Sequence, residues 1–274
     1  MKLYVTDLDG TLLNEKAELS EYSRNELNRL LQTEKITFCT ARSYGVTQKI
    51  LDGVKWVLPC VVNNGAFIID YKSGCIIEGA YIDNDIVKKI LKLSEMLNLS
   101  CIILCMYENE EKMIYSNLNN AGIYEYIEQR KKRQDKRLLV WEDFAKIDEL
   151  KIFSLQFVDS YEKIKALQTE IKKYDVITYF DKEIYVDGYY YLNVNNKEAT
   201  KENALLKIVD LLGLSMKEVT VFGDQINDLE MLKMAGVGVA VDNANEELKE
   251  VADTIIGSNT KNSVVKYINE QLKL

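Results

Sequence analysis

Lys2-Leu3-Tyr4-Val5-Thr6-Asp7-Leu8-Asp9-Gly10-Thr11-Leu12-Leu13 joins a short apolar run to two carboxylates, a glycine and a hydroxyl. The run reads as a buried strand. In an open α/β sheet, ligands bind just beyond the carboxyl ends of the strands, so Asp7 and Asp9 stand where chemistry is expected. Gly10 lets the backbone turn without a Cβ penalty. Asp, Gly and Thr also build ordinary acidic turns and caps. At about 5% usage per residue type, the fixed positions of Asp-x-Asp-Gly-Thr recur at roughly one site in 10^5, which makes chance a poor account.

The same pattern, a strand followed by a polar cluster, recurs outward from this stretch. Ser20 is placed to cap a helix with Leu27, Leu30 and Leu31 on one face. Ile36 to Cys39 reads as a strand running into Thr40-Ala41-Arg42-Ser43, and Trp56 to Val62 as a strand running into Asn63-Asn64-Gly65-Ala66. Pro59 inside the latter favours an edge position or a bulge. A hairpin is expected from Phe67–Ile69 and Cys75–Ile77. Thr200 is placed to cap a helix with Leu205, Leu206, Val209 and Leu212 inward, ended by Gly213, with Lys201 in its first turn. Val219 to Phe222 ends in Gly223-Asp224-Gln225-Ile226-Asn227-Asp228. Asp228 alone reads as a helix cap; the whole string at a strand end is harder to dismiss. Strands at Val237–Val241 and Asp253–Ile256 and a helix over Val264–Leu272 complete the rhythm.

Between these parts the rhythm changes, with a helix (Ile86, Ile90, Leu93, Leu97) and strands at Cys101–Met106 and Ile152–Val158. A helix (Ile164, Leu167, Ile171) and strands at Val176–Phe180 and Tyr189–Val194 follow. The fold class expected is α/β, a doubly wound, mostly parallel sheet core (1–82 and 193–274) with an inserted α+β domain (83–192). Arg130 to Arg137 places six cations in eight residues. It reads as a solvated helix or loop face, with an anion or nucleic-acid patch as the less favoured alternative.

Composition narrows the function. Hydrophobic residues make up 47% and charged residues 28%, as in globular proteins. No stretch approaches a membrane-spanning apolar run, and no basic-then-apolar leader is visible, so cytoplasmic residence is the expectation. The net charge of −8 argues against nucleic-acid and anionic-membrane partners. The five cysteines contain no Cys-x-x-Cys pair and fit reduced thiols. Histidine is absent, which excludes Ser-His-Asp and Cys-His catalysis and His-ligated zinc. Carboxylates, lysine and a metal are left. Asp7, Asp9, Asp224 and Asp228, gathered at one sheet edge, would repel one another unless compensated. A hard divalent cation with oxygen ligands, Mg²⁺, answers this. Such a site suits a phosphate whose remaining charge Lys201 and the Thr40 hydroxyl would meet.

Asp7-Leu8-Asp9-Gly10-Thr11, Thr40, Lys201 and Gly223-Asp224-x-x-Asn227-Asp228 resemble, in order and spacing, the four motifs of the haloacid dehalogenase (HAD) superfamily. The insertion resembles the large α/β cap of its Cof-type phosphatase branch, and Asn64-Gly65-Ala66 and Asn243-Ala244 resemble further stretches of that branch. The resemblance spans nearly the whole chain and is weak in the insertion. It implies a HAD-like Rossmannoid core and a Mg²⁺-dependent phosphatase of small phosphorylated metabolites, sugar phosphates or a phosphorylated cofactor, acting through an aspartyl-phosphate. Asp7 would be the nucleophile and Asp9 the acid and base. Mg²⁺ would be held by Asp7, the Asp9 carbonyl and Asp224, with Asp228 orienting water and Asn227 supporting. Thr40 and Lys201 would grip the phosphoryl group. Gly10 and Thr11 complete the first motif, and Arg42 and Asn64 are candidates for substrate contact. The chain is expected to act as a monomer or weak dimer. It departs from the family at Ala41 and Ser263, where glycine is usual, and at Glu202, also a usual glycine position. A phosphomutase or a non-catalytic sugar-phosphate-binding regulator are the alternatives; a receiver-type domain ranks last because it lacks the insertion.

Overall fold

The computed structural model describes residues 2–141, 144–182 and 186–273. Its strands and helices follow in the order β1 (Leu3–Thr6), α1 (Glu21–Leu30), β2 (Lys35–Phe38), α2 (Tyr44–Ile50), β3 (Cys60–Val62), β4 (Phe67–Ile69), β5 (Ile76–Gly79), α3 (Asn84–Met96), β6 (Cys101–Tyr107) and β7 (Glu110–Tyr115). Then come α4 (Ala121–Lys132), β8 (Leu138–Val140), β9 (Lys151–Ser160), α5 (Tyr161–Ile171), β10 (Val176–Lys182), β11 (Tyr189–Asn196) and α6 (Lys201–Leu211). The chain closes with β12 (Val219–Gly223), α7 (Leu229–Met234), β13 (Val237–Val241), α8 (Glu246–Val251), β14 (Thr254–Ile256) and α9 (Ser263–Gln271). It divides into two units, one formed by the chain up to Gly79 and again from Glu198, the other by Ala80–Lys197.

In the first unit β1 is apolar and buried along its length, as a parallel strand covered on both faces must be. The sheet order is β14-β13-β12-β1-β2, and every pairing in it is parallel. Thr6 stands level with Phe222 on one side and Phe38 on the other. The ladder runs one step further, with Asp7 N–H donating to Phe222 O at 2.9 Å and Cys39 N–H to Thr6 O at 3.0 Å. Register alone therefore brings Asp7, Thr40 and Asp224 out at one edge. The chain leaves β1 toward β2 on one side and reaches β12 on the other, which makes this edge the switch point where α/β sheets bind ligands.

Ser20 caps α1 by accepting from Ser23 N–H at 3.0 Å, and Leu27 and Leu30 are buried. Thr200 caps α6 through Asn203 N–H, and Gly213, at φ 63°, follows the helix end. Two expectations are corrected. The strand drawn from Trp56 begins only at Cys60, because Pro59 lacks the N–H a ladder needs; its carbonyl accepts from Thr37 Oγ1 at 2.6 Å instead. β3, β4 and β5 form a separate antiparallel sheet, joined to β2 by a bridge from Cys39 to Val61. Leu206 is exposed, and the buried face of α6 is Ala204, Leu205, Ile208 and Val209.

The second unit is built on a sheet of order β10-β11-β9-β6-β7-β8, antiparallel except for the β7–β8 pair. Ile103, Leu155, Phe157, Leu192 and Val194 on one face pack with Val87 and Ile90 of α3 and Ile164, Leu167 and Ile171 of α5. The basic run lies in the last turn of α4 and the turn after it. Lys131 pairs with Glu128 at 2.8 Å, Lys132 with Glu125 at 3.5 Å, and Arg137 with Glu111 and Asp135 at 2.6 Å each. Local acids thus balance much of its charge. No helix among the described residues is long and apolar enough to cross a membrane.

Candidate active site

Asp7 leaves β1 extended, and the chain then turns through Leu8–Leu12 with Asp9 extended and Gly10 at φ 74°. A Cβ on Gly10 would stand 2.2 Å from Asp224 Oδ2, so glycine is required both for the turn and for the approach of the β12 loop. Gly223 is also tight, since a Cβ there would stand 2.6 Å from Asp228 Cβ. Gly65, at φ 96°, would drive a Cβ to 2.2 Å from Thr200 O, which brings the Asn63–Gly65 loop against the cap of α6.

Lys201 enters this edge from the first turn of α6. Its side chain is 2% exposed, and Nζ donates to Asp7 Oδ1 at 2.6 Å and to Asp228 Oδ1 at 2.7 Å. The other Asp228 oxygen accepts the backbone N–H groups of Asp224 at 3.1 Å and Gln225 at 3.2 Å. Asp224 accepts from Thr11 Oγ1 at 3.0 Å and Gln225 Nε2 at 3.1 Å. Oxygens of Asp7, Asp224 and Asp228 lie within 4.8 Å of one another. One ammonium faces three carboxylates in a buried place. Burial, and then Asp228 and Asp224 against the opposing Lys201, push the Asp7 carboxyl up to about 8. Burial and Asp228 also raise Asp224. Burial works against the Lys201 charge, yet Asp228 and Asp7 outweigh it and hold the ammonium above its ordinary range.

Asp9 lies outside this cluster. Its carboxylate, 46% exposed, accepts from Arg42 Nε at 2.5 Å and also from Arg42 Nη2. Arg42 thus finds its partner in Asp9. Thr40 is fully buried at the end of β2; its Oγ1 accepts from Arg42 N–H at 3.2 Å and its carbonyl from Asn64 N–H at 2.9 Å. Asn227 Nδ2 donates to Asn64 Oδ1 at 3.0 Å, which ties the β12 loop to the loop after β3. Asn64 takes φ 54°, a conformation Asn tolerates better than most residues. Ala41 is not among the positive-φ residues, so its methyl brings no backbone strain. Glu202 lies in the first turn of α6, where an acid suits the helix dipole. The Ser263 hydroxyl donates to Ser258 O at 2.8 Å.

Three supports carried no readable role in the sequence. Gln225 holds Asp224 and occupies a variable place in its motif. Asn243 Nδ2 donates to Gly10 O at 2.7 Å, and Asn259 Nδ2 to Leu13 O at 2.8 Å. Asn259 N–H in turn donates to Asn243 Oδ1 at 2.9 Å. These bonds pin the turn after β1 to loops more than 230 residues away. The Asn243-Ala244 string hinted at Asn243; nothing marked Asn259.

A parallel-sheet edge that gathers aspartates from two strand ends around one buried lysine defines a class of α/β proteins built for chemistry on a metal-bound anion. The comparisons agree. The family profile of haloacid dehalogenase-like hydrolases matches residues 4–268. The chain belongs to that family, as an enzyme of its phosphatase branch. It is 30% identical over 286 residues to "Putative phosphatase YxeH" of Bacillus subtilis (strain 168), with 98% of this chain and 97% of that protein covered. It is 26% identical over 285 residues to pyridoxal phosphate phosphatase YbhA of Escherichia coli (strain K12), with 99% and 98% covered. A haloacid dehalogenase-like hydrolase from Bacteroides thetaiotaomicron superposes with a TM-score of 0.80 at 24% identity over 98% of this chain and 99% of that one; at that identity the match speaks to the fold.

Proposed function

We propose that this chain is a Mg²⁺-dependent, cytoplasmic phosphatase of small phosphorylated metabolites that works through an aspartyl-phosphate on Asp7. The observation that carries the reading is the buried cluster of Asp7, Asp224, Asp228 and Lys201 at the switch-point edge. The donor set fits the metal: three carboxylates against one ammonium leave negative charge to be balanced, and oxygen donors suit a hard cation. Asp7 and Asp224 with the Asp9 carbonyl would hold it. Both Asp228 oxygens are already engaged by Lys201 and backbone N–H groups, which supports a positioning role for Asp228. Bound there, Mg²⁺ would neutralise charge on the phosphoryl oxygens.

Lys201 holds Asp7 by one oxygen, which leaves Oδ2 to attack phosphorus while the bond to the leaving alcohol breaks. Asp9 delivers a proton to that alcohol. It then takes one from the water that attacks phosphorus and frees Asp7. Because Arg42 grips both Asp9 oxygens, Asp9 must leave this pairing, at least in part, to serve as acid; an anionic substrate that draws on Arg42 would release it. Thr40 and Lys201 meet the phosphoryl oxygens. A pyridoxal phosphate phosphatase among the relatives supports a phosphorylated cofactor or sugar phosphate as substrate, with no nucleic acid or membrane involved. The test is phosphate release from a panel of such phosphoesters, with Mg²⁺ and with a chelator. Release that stops with the chelator is expected; no release from any member with Mg²⁺ present rejects the proposal. Asp9→Asn should lower kcat by roughly 10^2 to 10^4-fold.

A further inference from the structure

The second unit contains a buried polar strip that the hydrolytic chemistry leaves unused. Alternate residues of a strand share a face, so Tyr191, Asn193 and Asn195 of β11 point away from the apolar core that holds Leu192 and Val194. Gln156 and Ser154 of β9 stand level with Asn193 and Asn195. Against this face packs α4, whose Tyr126 hydroxyl donates to Gln156 Oε1 at 2.9 Å and whose Tyr126 ring lies 5.8 Å from that of Tyr191. Arg130, one turn further along α4, donates through Nη2 to the Tyr126 hydroxyl, with its guanidinium 4.1 Å from the ring centroid. On the other side Tyr191 donates to Asn193 Oδ1 at 2.9 Å.

The network has two loose ends. Arg130 Nε and Asn195 Oδ1 are buried and have no hydrogen-bond partner among the described residues, and Asn195 is only 5% exposed. Buried polar groups are almost always paired, so each such exception needs a reason. The two ends are chemically opposite: one is a cationic N–H donor, the other a neutral acceptor. Asn195 stands about 7 Å along the strand from the Asn193–Gln156 pair to which Arg130 is linked through Tyr126. Tyr191 and Asn193 are only half-buried, which leaves the strip a way to solvent. A small molecule with an anionic oxygen for Arg130 and a hydroxyl for Asn195 would complete it, and phenol rings beside amides suit the mixed C–H and O–H surface of a sugar. Arg130 Nε offers one buried donor to an anionic oxygen, and burying a singly charged carboxylate beside it costs less than burying a doubly charged phosphate.

We propose that this strip is a binding site for a small polyhydroxylated carboxylate of the sugar-acid class. The proposal stands apart from the phosphatase reading, and its test uses no phosphoester. D-gluconate is titrated calorimetrically into the intact protein, with D-glucose and acetate as probes of the hydroxyls and the charge alone. Saturable gluconate binding is expected, with glucose and acetate each roughly tenfold weaker or more. Asn195→Leu should weaken gluconate by a similar factor, and so should Arg130→Lys, which keeps the charge but loses the Nε–H. Inorganic phosphate binding should stay unchanged in both variants, as a check that the first unit is intact. Absent gluconate binding, or binding that survives in either folded variant, overturns the site and leaves its loose ends to water.

Discussion

The buried cluster of the first unit and the basic run of the second handle charge in opposite ways. In the second, cations find acids nearby in the chain: Lys131 and Glu128 sit three residues apart on one helix, and Arg137 and Asp135 two apart. Such pairs close locally and are partly open to solvent, where an ion pair contributes at most about 1 kcal/mol. In the first, Asp7 and Lys201 meet across 194 residues, and Asp228 joins them in full burial. There the acids outnumber the lysine and no local partner restores the balance. Charge that closes on itself needs no ligand; charge that cannot close marks the place where a ligand belongs.

The contrast is most easily broken at its extremes. Asp7→Asn should cut kcat by roughly 10^3-fold or more, whereas Lys131→Ala and Lys132→Ala should leave steady-state kinetics as they are. A large loss from either lysine change would mean that Lys131 and Lys132 are not merely balanced surface. Lys201→Met removes the ammonium but leaves three buried carboxylates, so denaturant unfolding should show a loss of about 3–5 kcal/mol. A loss below about 1 kcal/mol would show the site to be far wetter than its burial implies.

A third effect appears with pH. The folded-state value of Asp7, about 8, lies above its ordinary 3.8, and Asp224 is shifted the same way. A carboxyl raised in the fold favours folding while it is protonated, so this contribution is fully present below about pH 4 and is lost as pH rises toward about 8. The raised Lys201 ammonium contributes an opposite-sign group whose support is constant through this window and lost only at higher pH. The melting temperature of the metal-free protein should therefore fall across that window, and Mg²⁺ should flatten the fall. An unchanged slope with Mg²⁺ would separate the acids from metal binding. The smallest effect belongs to the second unit: Arg137→Ala, which strips partners from Glu111 and Asp135, should cost about 1–2 kcal/mol in stability with little change in kcat.

The same contrast explains what the sequence could disclose. The site's core was legible because its chemistry is written in short strings at strand ends: Asp7 and Asp9 with Gly10, and Gly223 to Asp228. Strand register then does the assembling. The Asp9–Arg42 pairing was not legible, since nothing in either motif says that the arginine turns toward the acid. α2 went unread because Val46 and Thr47 dilute a short helix with β-branched residues, and the Ser43 side chain at its start makes no capping hydrogen bond. Leu206 misled because two inward rows of α6 are set by Ala204, Leu205, Ile208 and Val209, one residue off the leucine pattern. In the second unit, the polar strip is spread over α4, β9 and β11, and no local string carries it.

Transfer of the phosphoryl group to Asp7 is tested most directly by acid-quenching the protein during turnover of a ³²P-labelled phosphoester and mapping the label by peptide digestion. Acid-stable label is expected on the peptide that contains Asp7 in the native protein and none in Asp7→Asn. Label on a different peptide, or phosphate release by Asp7→Asn at the native rate, would contradict it.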